Sequence, residues 1–301
     1  MSRVIIDCDP GMDDALALML AAASEEIEIE MVTAVAGNRV VETTALNARR
    51  VLDFVGSRAP VYSGAARPLS HPAARTNEVH GVDGLGGADF PLAGAVAAGH
   101  APDRIAEVLT ESAGLTIVAI GPLTNLALAE MRSPGVLAST DRILLMGGAA
   151  FGQGNATPAA EFNIYADAIA AKIVFESGAD IVMFGLDVTR RAAVTHEWAA
   201  RLAGMNNRTA ELVNTMLTFY FRDEFLLHDP CPVAYLARPD LFDGIRAHTQ
   251  VDITPGPAMG KTHVWHDVVE SPPGPENSLV VTAVDAEEML AMLVSRLSTL
   301  P

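Results

Sequence analysis

Cysteine occurs only twice, at Cys8 and Cys231, far apart and outside any CxxC spacing. That excludes a cysteine-built zinc site and fits a reducing compartment, with the cytoplasm as the expected location. Basic residues are scarce as well: 20 Lys+Arg against 37 Asp+Glu leave a formal charge of -17. Nucleic acid and anionic membrane are therefore not expected as partners, because polyanion binding draws most of its free energy from basic contacts. Half of the residues are hydrophobic but only 5% are aromatic, so the apolar content lies in short Ala, Val and Leu runs, none long enough to cross a bilayer. Leu16 to Ala23 imitates the apolar part of a signal peptide, yet two aspartates precede it where positive charge is expected.

What the 301 residues do contain is enough apolar sequence for a large core. Short Val- and Ile-rich runs followed by turn residues predict strands at 3–8, 29–36, 115–120, 142–147 and 180–185. Helical periodicity predicts helices near 12–23, 43–55, 102–112, 124–131, 163–177, 207–224 and 285–298. Strands alternating with helices imply a Rossmann-like α/β fold, a largely parallel or mixed sheet flanked by helices, with ligands at the strands' carboxyl ends. Residues 63–100 and 150–162 lack periodicity and read as long loops, and Ser271-Pro-Pro-Gly-Pro275 as a surface loop, so residues 1–301 are expected to form one domain.

The first predicted strand runs into Asp7-Cys-Asp-Pro-Gly-Met-Asp-Asp14, which puts four carboxylates within eight residues. Asp9-Pro10-Gly11 forces a turn, since the residue before proline is extended and glycine bends freely. Asp13 and Asp14 then fall in the first turn of a helix, where either alone would simply complement the helix dipole. Four negative charges exceed what a partial dipole balances. The set calls for a cation, and an all-carboxylate set favours calcium, with magnesium second, over zinc.

Two enzyme classes use a strand ending in Asp-x-Asp. A haloacid-dehalogenase-type magnesium phosphatase would take Asp7 as nucleophile and Asp9 as acid/base, but needs a lysine and a Gly-Asp motif; the chain has only Lys172 and Lys261 and no Gly-Asp dipeptide. The other class accounts for more. Asp7 to Asp14, followed in order by Gly37-Asn38, Val79-His-Gly81, Gly121-Pro-Leu-Thr-Asn125, Glu161-Phe-Asn163 and His228-Asp229, closely resembles the inosine-uridine preferring nucleoside hydrolases over most of residues 1–235. After about residue 240 the likeness is less distinct.

The resemblance implies calcium-dependent hydrolysis of a ribonucleoside to ribose and free base, through an oxocarbenium-like ribosyl cation. It implies Asp9 as general base and metal ligand, Asp14, Asp229 and the Thr124 carbonyl as further ligands, and Asp13, Asn38, Asn155 and Asn163 on the ribose hydroxyls. Glu161 would reach the 5′ side, His228 the leaving base, and His80 the substrate less directly. Asp7 would orient its neighbours. Each has a plainer alternative: Thr124, Asn155 and Asn163 are good helix caps, and a lone histidine such as His228 commonly just pairs with a neighbour. A homodimer or homotetramer is the family's usual assembly.

The wall facing the base is the least legible part. Phe219, Tyr220, Phe221 and Phe225 lie upstream of His228, with two or more expected in the core. Trp198 and Trp265 fall outside the matched blocks, which leans toward the inosine-uridine or pyrimidine-preferring branch. A calcium-stabilised sugar-binding module without catalysis remains an alternative, although it would need neither Asp9 nor His228.

Overall fold

Val4-Ile5-Ile6 is a run of β-branched side chains without polar interruption, the pattern of a strand buried on both faces, and it forms the middle of β1 (Ser2–Cys8). The computed structural model describes residues 1–73, 76, 78–92, 94–220, 225–267 and 271–301. On one side of β1 lie β2 (Ile27–Ala34) and β3 (Val61–Ser63), and on the other β4 (Leu115–Ala119), β5 (Arg142–Met146) and β6 (Ile181–Phe184), all parallel. A ribbon of β7 (Ala193–Val194) and β8 (Phe225–Leu226) stands apart. The chain then adds β9 (Phe242–Val251), β10 (Thr262–Trp265) and β11 (Ser278–Val284) beyond β6, giving a nine-stranded sheet of order β10-β9-β11-β6-β5-β4-β1-β2-β3. Within this sheet β9 pairs antiparallel with both β10 and β11, and β11 pairs parallel with β6.

Helices cover both faces. On the face of Val4, Ile6 and Cys8 the core takes in α1 (Met12–Ala22), α2 (Val41–Phe54) and, later in the chain, α8 (His196–Ala203), α9 (Arg208–Tyr220), α10 (Pro230–Ala237) and α11 (Ala286–Leu297). On the face of Ile5 it takes in α3 (Ala101–Glu111), α4 (Thr124–Arg132), α5 (Phe162–Ala166) and α6 (Ala168–Phe175). A strand that is apolar on both sides does not fix its own register by alternation. Asp7 does, because only the side facing α4 offers the Thr33 hydroxyl, at 2.5 Å, and the Asn125 amide, at 2.8 Å.

The segment expected as one helix over 163–177 is two, broken at Asp167, whose carboxylate caps α6. The same carboxylate accepts from the Leu69 and Ser70 amides, the Ser70 hydroxyl and the Thr124 hydroxyl. Five donors compete for that side chain, and meeting them requires the helix to bend there. β2 ends at Ala34 rather than at residue 36, because its partner β3 stops at Ser63, opposite Ala34. The expected helix over 207–224 is α9 as far as Tyr220; residues 221–224 lie outside the described residues. Periodicity also misses the short strands β3, β7 and β8, the single turn α7 (Leu186–Thr189), α8, α10 and the strands from β9 onward. β9 reads Phe-Asp-Gly-Ile-Arg-Ala-His-Thr-Gln-Val, whose exposed positions dilute any strand signal. Among the described residues no helix is long and apolar enough to cross a membrane.

Candidate active site

The strand order around β1 reverses between β1 and β4, and in such sheets the crevice at the carboxyl ends beside that reversal receives ligands. A cleft of about 810 Å³ opens there, within the range of small-molecule sites. Asp9, Asp13, Asn38, His80 and Ile120 form one part of its wall, and Met146, Asn155, Glu161 and Asn163 another. His228 and Asp229, at the start of α10, close a third side. Two expected site residues, Asp14 and Thr124, are not on the wall.

Asp9 leaves the end of β1 and is almost fully buried. Its Oδ2 accepts from the Asn38 main-chain amide at 2.6 Å. A Cβ on Gly37 would lie 2.0 Å from that oxygen and one on Gly121 2.6 Å from Oδ1, so the two glycines are what lets the carboxylate sit there. Asp14 turns back under the loop, its Oδ1 accepting from the Asp9 amide at 3.1 Å and its Oδ2 from the Gly11 amide at 2.9 Å. The Asn38 side chain adds a contact to Asp14 at 3.3 Å. Asp14 thus starts α1 and joins the cluster at once.

Among the described residues, Asp13, Asp14 and Asp229 form a group of three carboxylates whose oxygens all lie within 4.8 Å of one another. Asp13, expected on the sugar, is therefore grouped with the metal candidates, and Asp9 stands beside them. Burial, reinforced by the negative charge of Asp14, holds the Asp9 carboxyl well above the usual carboxylate range, and burial with Asp13 beside it does the same to Asp229. Burial pushes Asp13 up to about 6, and burial together with Asp13 pushes Asp14 up to about 6. No lysine or arginine lines the cleft among the described residues. A dense, buried, all-oxygen and uncompensated donor set is what a hard divalent cation fits.

Thr124 does not cap α4; its hydroxyl donates to Asp167 at 2.8 Å, and Leu123 holds the cap position without a side-chain bond. Asn163 is not a cap either. Its Nδ2 donates to the Ile120 carbonyl at 2.9 Å and the Met146 carbonyl at 3.2 Å, pinning it between the ends of β4 and β5. Glu161 is the cap of α5, accepting from the Asn163 and Ile164 amides and also from the Gly148 amide. Burial raises its pKa to about 7. Asn155 assists, its Oδ1 accepting from the Phe162 amide at 2.8 Å.

His80 accepts from the Met12 amide through Nδ1 at 3.1 Å. In the neutral ring that burial favours, the proton therefore sits on Nε2. His228 Nδ1 lies 2.7 Å from the Thr189 hydroxyl at the end of α7. Burial, with Arg190 and His80 nearby, pulls its pKa down to about 4. Tyr220, Phe225 and Leu226 complete the wall near the histidines, Tyr220 and Phe225 meeting edge to face at 4.8 Å. Phe219 is half exposed and Phe221 lies outside the described residues. Trp198 is buried away from the cleft, donating to the Leu290 carbonyl, and Trp265 lies on β10. Sequence reasoning missed Leu226, Thr189 and Asp167; a lone apolar, hydroxyl or acidic residue carries no signal without its partner.

Fold and cleft together define an α/β enzyme that receives a small polar ligand among carboxylates and amides. The family model described as inosine-uridine preferring nucleoside hydrolase matches residues 4–291, and the chain belongs to that family. It is 42% identical over 99% of both chains to the pyrimidine-specific ribonucleoside hydrolase RihA of Photobacterium profundum. It is 37% identical over 86% of both chains to the pyrimidine-specific ribonucleoside hydrolase RihB of Escherichia coli. Among solved structures, the purine-preferring ribonucleoside hydrolase from Gardnerella vaginalis superposes with a TM-score of 0.92 at 30% identity, covering 99% of this chain and 98% of that one. The plant nucleoside hydrolase PpNRh1 superposes with a TM-score of 0.91 at 32% identity over 99% of both chains. The protein is a ribonucleoside hydrolase acting on the N-glycosidic bond, which displaces the phosphatase and sugar-module readings.

The carboxyl pKa values fix the sign of a metal effect. Asp13 and Asp14 ionise near 4 when unfolded and at about 6 in the metal-free fold. Between those values the fold holds protons that the unfolded chain has released, so this contribution to stability is lost as pH rises through 6. A cation competes with those protons. The gain in Tm from a saturating divalent cation is expected to be larger at pH 8 than at pH 5 in thermal melts; an equal gain, or none, removes the cation from the cluster.

Proposed function

We propose that the cluster carries calcium, that Asp9 is the general base, and that His228 serves the leaving base. The observation that carries this is the Asp9 carboxylate, held between Gly37 and Gly121 at the strand reversal and raised in pKa beside Asp13, Asp14 and Asp229. Asp9, Asp14, Asp229 and the Thr124 main-chain carbonyl would hold the ion, with Asp13 at its edge toward the sugar. When bound, calcium neutralises these carboxylates and acidifies water. Asp9 takes the proton from the attacking water, its carboxylate facing the cleft and oriented by the Asn38 amide.

Asp13, Asn38, Asn155 and Asn163 are assigned to the ribose hydroxyls and Glu161 to the 5′ side. Carboxylates near the ring also favour the positive charge that develops on the ribosyl centre. A 5′-phosphate would meet Glu161 with no lysine or arginine on the described walls, so nucleosides rather than nucleotides are the substrates. His228 and His80 face the base. If the Thr189 hydroxyl donates to His228 Nδ1, the ring's single N–H is at Nε2, as it is in His80, and both rings act as donors to the departing base. Tyr220, Phe225 and Leu226 give a largely apolar wall with no tryptophan among the described lining residues, which together with the pyrimidine-specific names of the relatives supports a pyrimidine preference. Residues 1–301 act as one catalytic unit. The two buried, unpaired cysteines suit the cytoplasm, and a homodimer or homotetramer is the assembly proposed.

A panel of uridine, cytidine, inosine and uridine 5′-monophosphate, followed by free ribose or ribose phosphate, tests the substrate. Uridine or cytidine is expected to show the highest kcat/KM and the monophosphate none above background. A higher value for inosine would overturn the pyrimidine preference.

Asp9→Asn at saturating calcium is expected to fold, to retain substrate binding and to lose about three orders of magnitude or more in kcat, because an amide cannot accept the water's proton. Near-normal turnover by this variant would sink the general-base assignment.

His228→Ala separates assistance to the leaving group from a structural role. Turnover of uridine should fall by roughly 100-fold, and turnover of p-nitrophenyl riboside, whose anion departs unprotonated, by far less. Proportional losses on the two substrates, with a lowered Tm, would return His228 to a structural part.

A further inference from the structure

Of the chain's two lysines, Lys172 pairs with Glu176 on α6, while Lys261 turns inward. Lys261 Nζ donates to the main-chain carbonyls of Ala149 and Ala150, and the next residue, Thr262, accepts from the Ala149 amide at 3.0 Å. From α7, Asp187 accepts the Ala150 amide at 2.7 Å, the Phe151 amide at 2.9 Å and the Gly152 amide at 3.0 Å. The Leu186 amide donates to the Gly148 carbonyl at 2.8 Å. Arg190 reaches the Gly154 carbonyl at 3.0 Å. The segment thus has its amides held by an anion and its carbonyls by a cation, from two elements distant in sequence.

That segment leads into the sugar end of the cleft. Its first amide, Gly148, donates to Glu161 Oε2 at 3.1 Å, and Asn155 follows directly after Gly154. Gly148 has φ +89°, and a Cβ there would lie 3.0 Å from Thr262, so the chain passes close against β10 at the point where it meets Glu161. Neither Lys261 nor Asp187 lines the cleft. A connection without regular structure is ordinarily the mobile part of a fold; here side chains replace the missing ladder.

We propose that Lys261 and Asp187 are positioning residues: together they clamp residues 148–152 and thereby set Glu161 for the 5′ side of the ribose, with Asn155 beside it on the sugar. The proposal rests on the assignment of those two residues to the sugar. It also gives the carboxyl-terminal strands a part in recognition.

The test compares kcat/KM for uridine and 5′-deoxyuridine, or for inosine and 5′-deoxyinosine should the purine prove faster. The wild type should prefer the hydroxylated substrate by about tenfold or more, and Glu161→Gln should erase most of that preference. Lys261→Met, which keeps the stem but not the donor, should lower the uridine value on the order of tenfold and leave 5′-deoxyuridine within about twofold, so that the ratio collapses. Asp187→Asn should act in the same direction, and Lys261→Arg should recover part of the ratio. A wild-type ratio near one removes the ribose assignment and the proposal with it. A large wild-type ratio that Glu161→Gln erases but Lys261→Met and Asp187→Asn retain overturns the clamp alone. Equal losses on both substrates in the clamp variants also overturn it, by reducing Lys261 and Asp187 to stability.

Discussion

Asp9, Asp13, Asp14 and Asp229 are all buried at the carboxyl end of the sheet without a lysine or arginine on the described walls. Two like charges 4 Å apart repel by about 4 kcal/mol at an effective dielectric of 20, so the four cannot all ionise in a dry cleft unaided. Much of the surrounding chain is arranged around that repulsion. Where other proteins answer a buried carboxylate with a basic side chain, this one uses main-chain amides, from Asn38 to Asp9 and from Asp9 and Gly11 to Asp14. Amides stabilise the anions without cancelling their net charge, so the site keeps its demand for a cation or protons.

Meeting that demand with amides requires tight turns at the strand ends, and the sheet supplies them. With β1 central and its neighbours β2 and β4 followed by helices on opposite faces, the loops after β1, β2 and β4 meet above one point. Gly37 comes from the loop after β2 and Gly121 from the loop after β4, and both lie against Asp9. The same edge receives Asn163, whose amide bridges the ends of β4 and β5. Asn38 and Asn163 thus stand on main-chain geometry that the parallel sheet already fixes, while His80 and Asn155 reach the cleft from the two long loops.

The parts of this arrangement that were legible in sequence are those carried by local pattern. Val4-Ile5-Ile6 announces a buried strand, Asp9-Pro10-Gly11 a turn, and the alternation of strands and helices through β6 the parallel sheet. What escaped depends on partners far along the chain. The break between α5 and α6 follows from Asp167 accepting donors near residues 70 and 124, which no window around residue 167 contains. Thr124 looks like a cap in sequence, but its hydroxyl is drawn off by that same aspartate. Glu161, in turn, is a cap as well as a cleft residue, since the Gly148 amide reaches it from thirteen positions away. The carboxyl-terminal strands were illegible because β9 is half exposed and alternates weakly, so its identity comes from pairing with β11 rather than from its own residues.

Asp7 and Asp9 are the same residue type two positions apart, and the difference in their surroundings is decided by where β1 ends. Asp7 is still within the strand, so its side chain points into the layer under α4, where one oxygen accepts from Thr33 and Asn125 and the other, buried, has no hydrogen-bond partner. Burial raises its pKa to about 7, and it does not line the cleft. Asn125 carries the link onward, donating also to the Ala34 carbonyl and accepting from the Ala65 amide. Asp7 therefore ties β1 to β2 and to the start of α4, the elements whose ends bring Gly37 and Gly121 up to Asp9. Asp9, one residue past the strand, has lost its ladder partners and takes its bond from Asn38 instead, which leaves the carboxylate open to the cleft. An identical pair of side chains is split into a brace and a cleft-facing group by a single turn of the backbone.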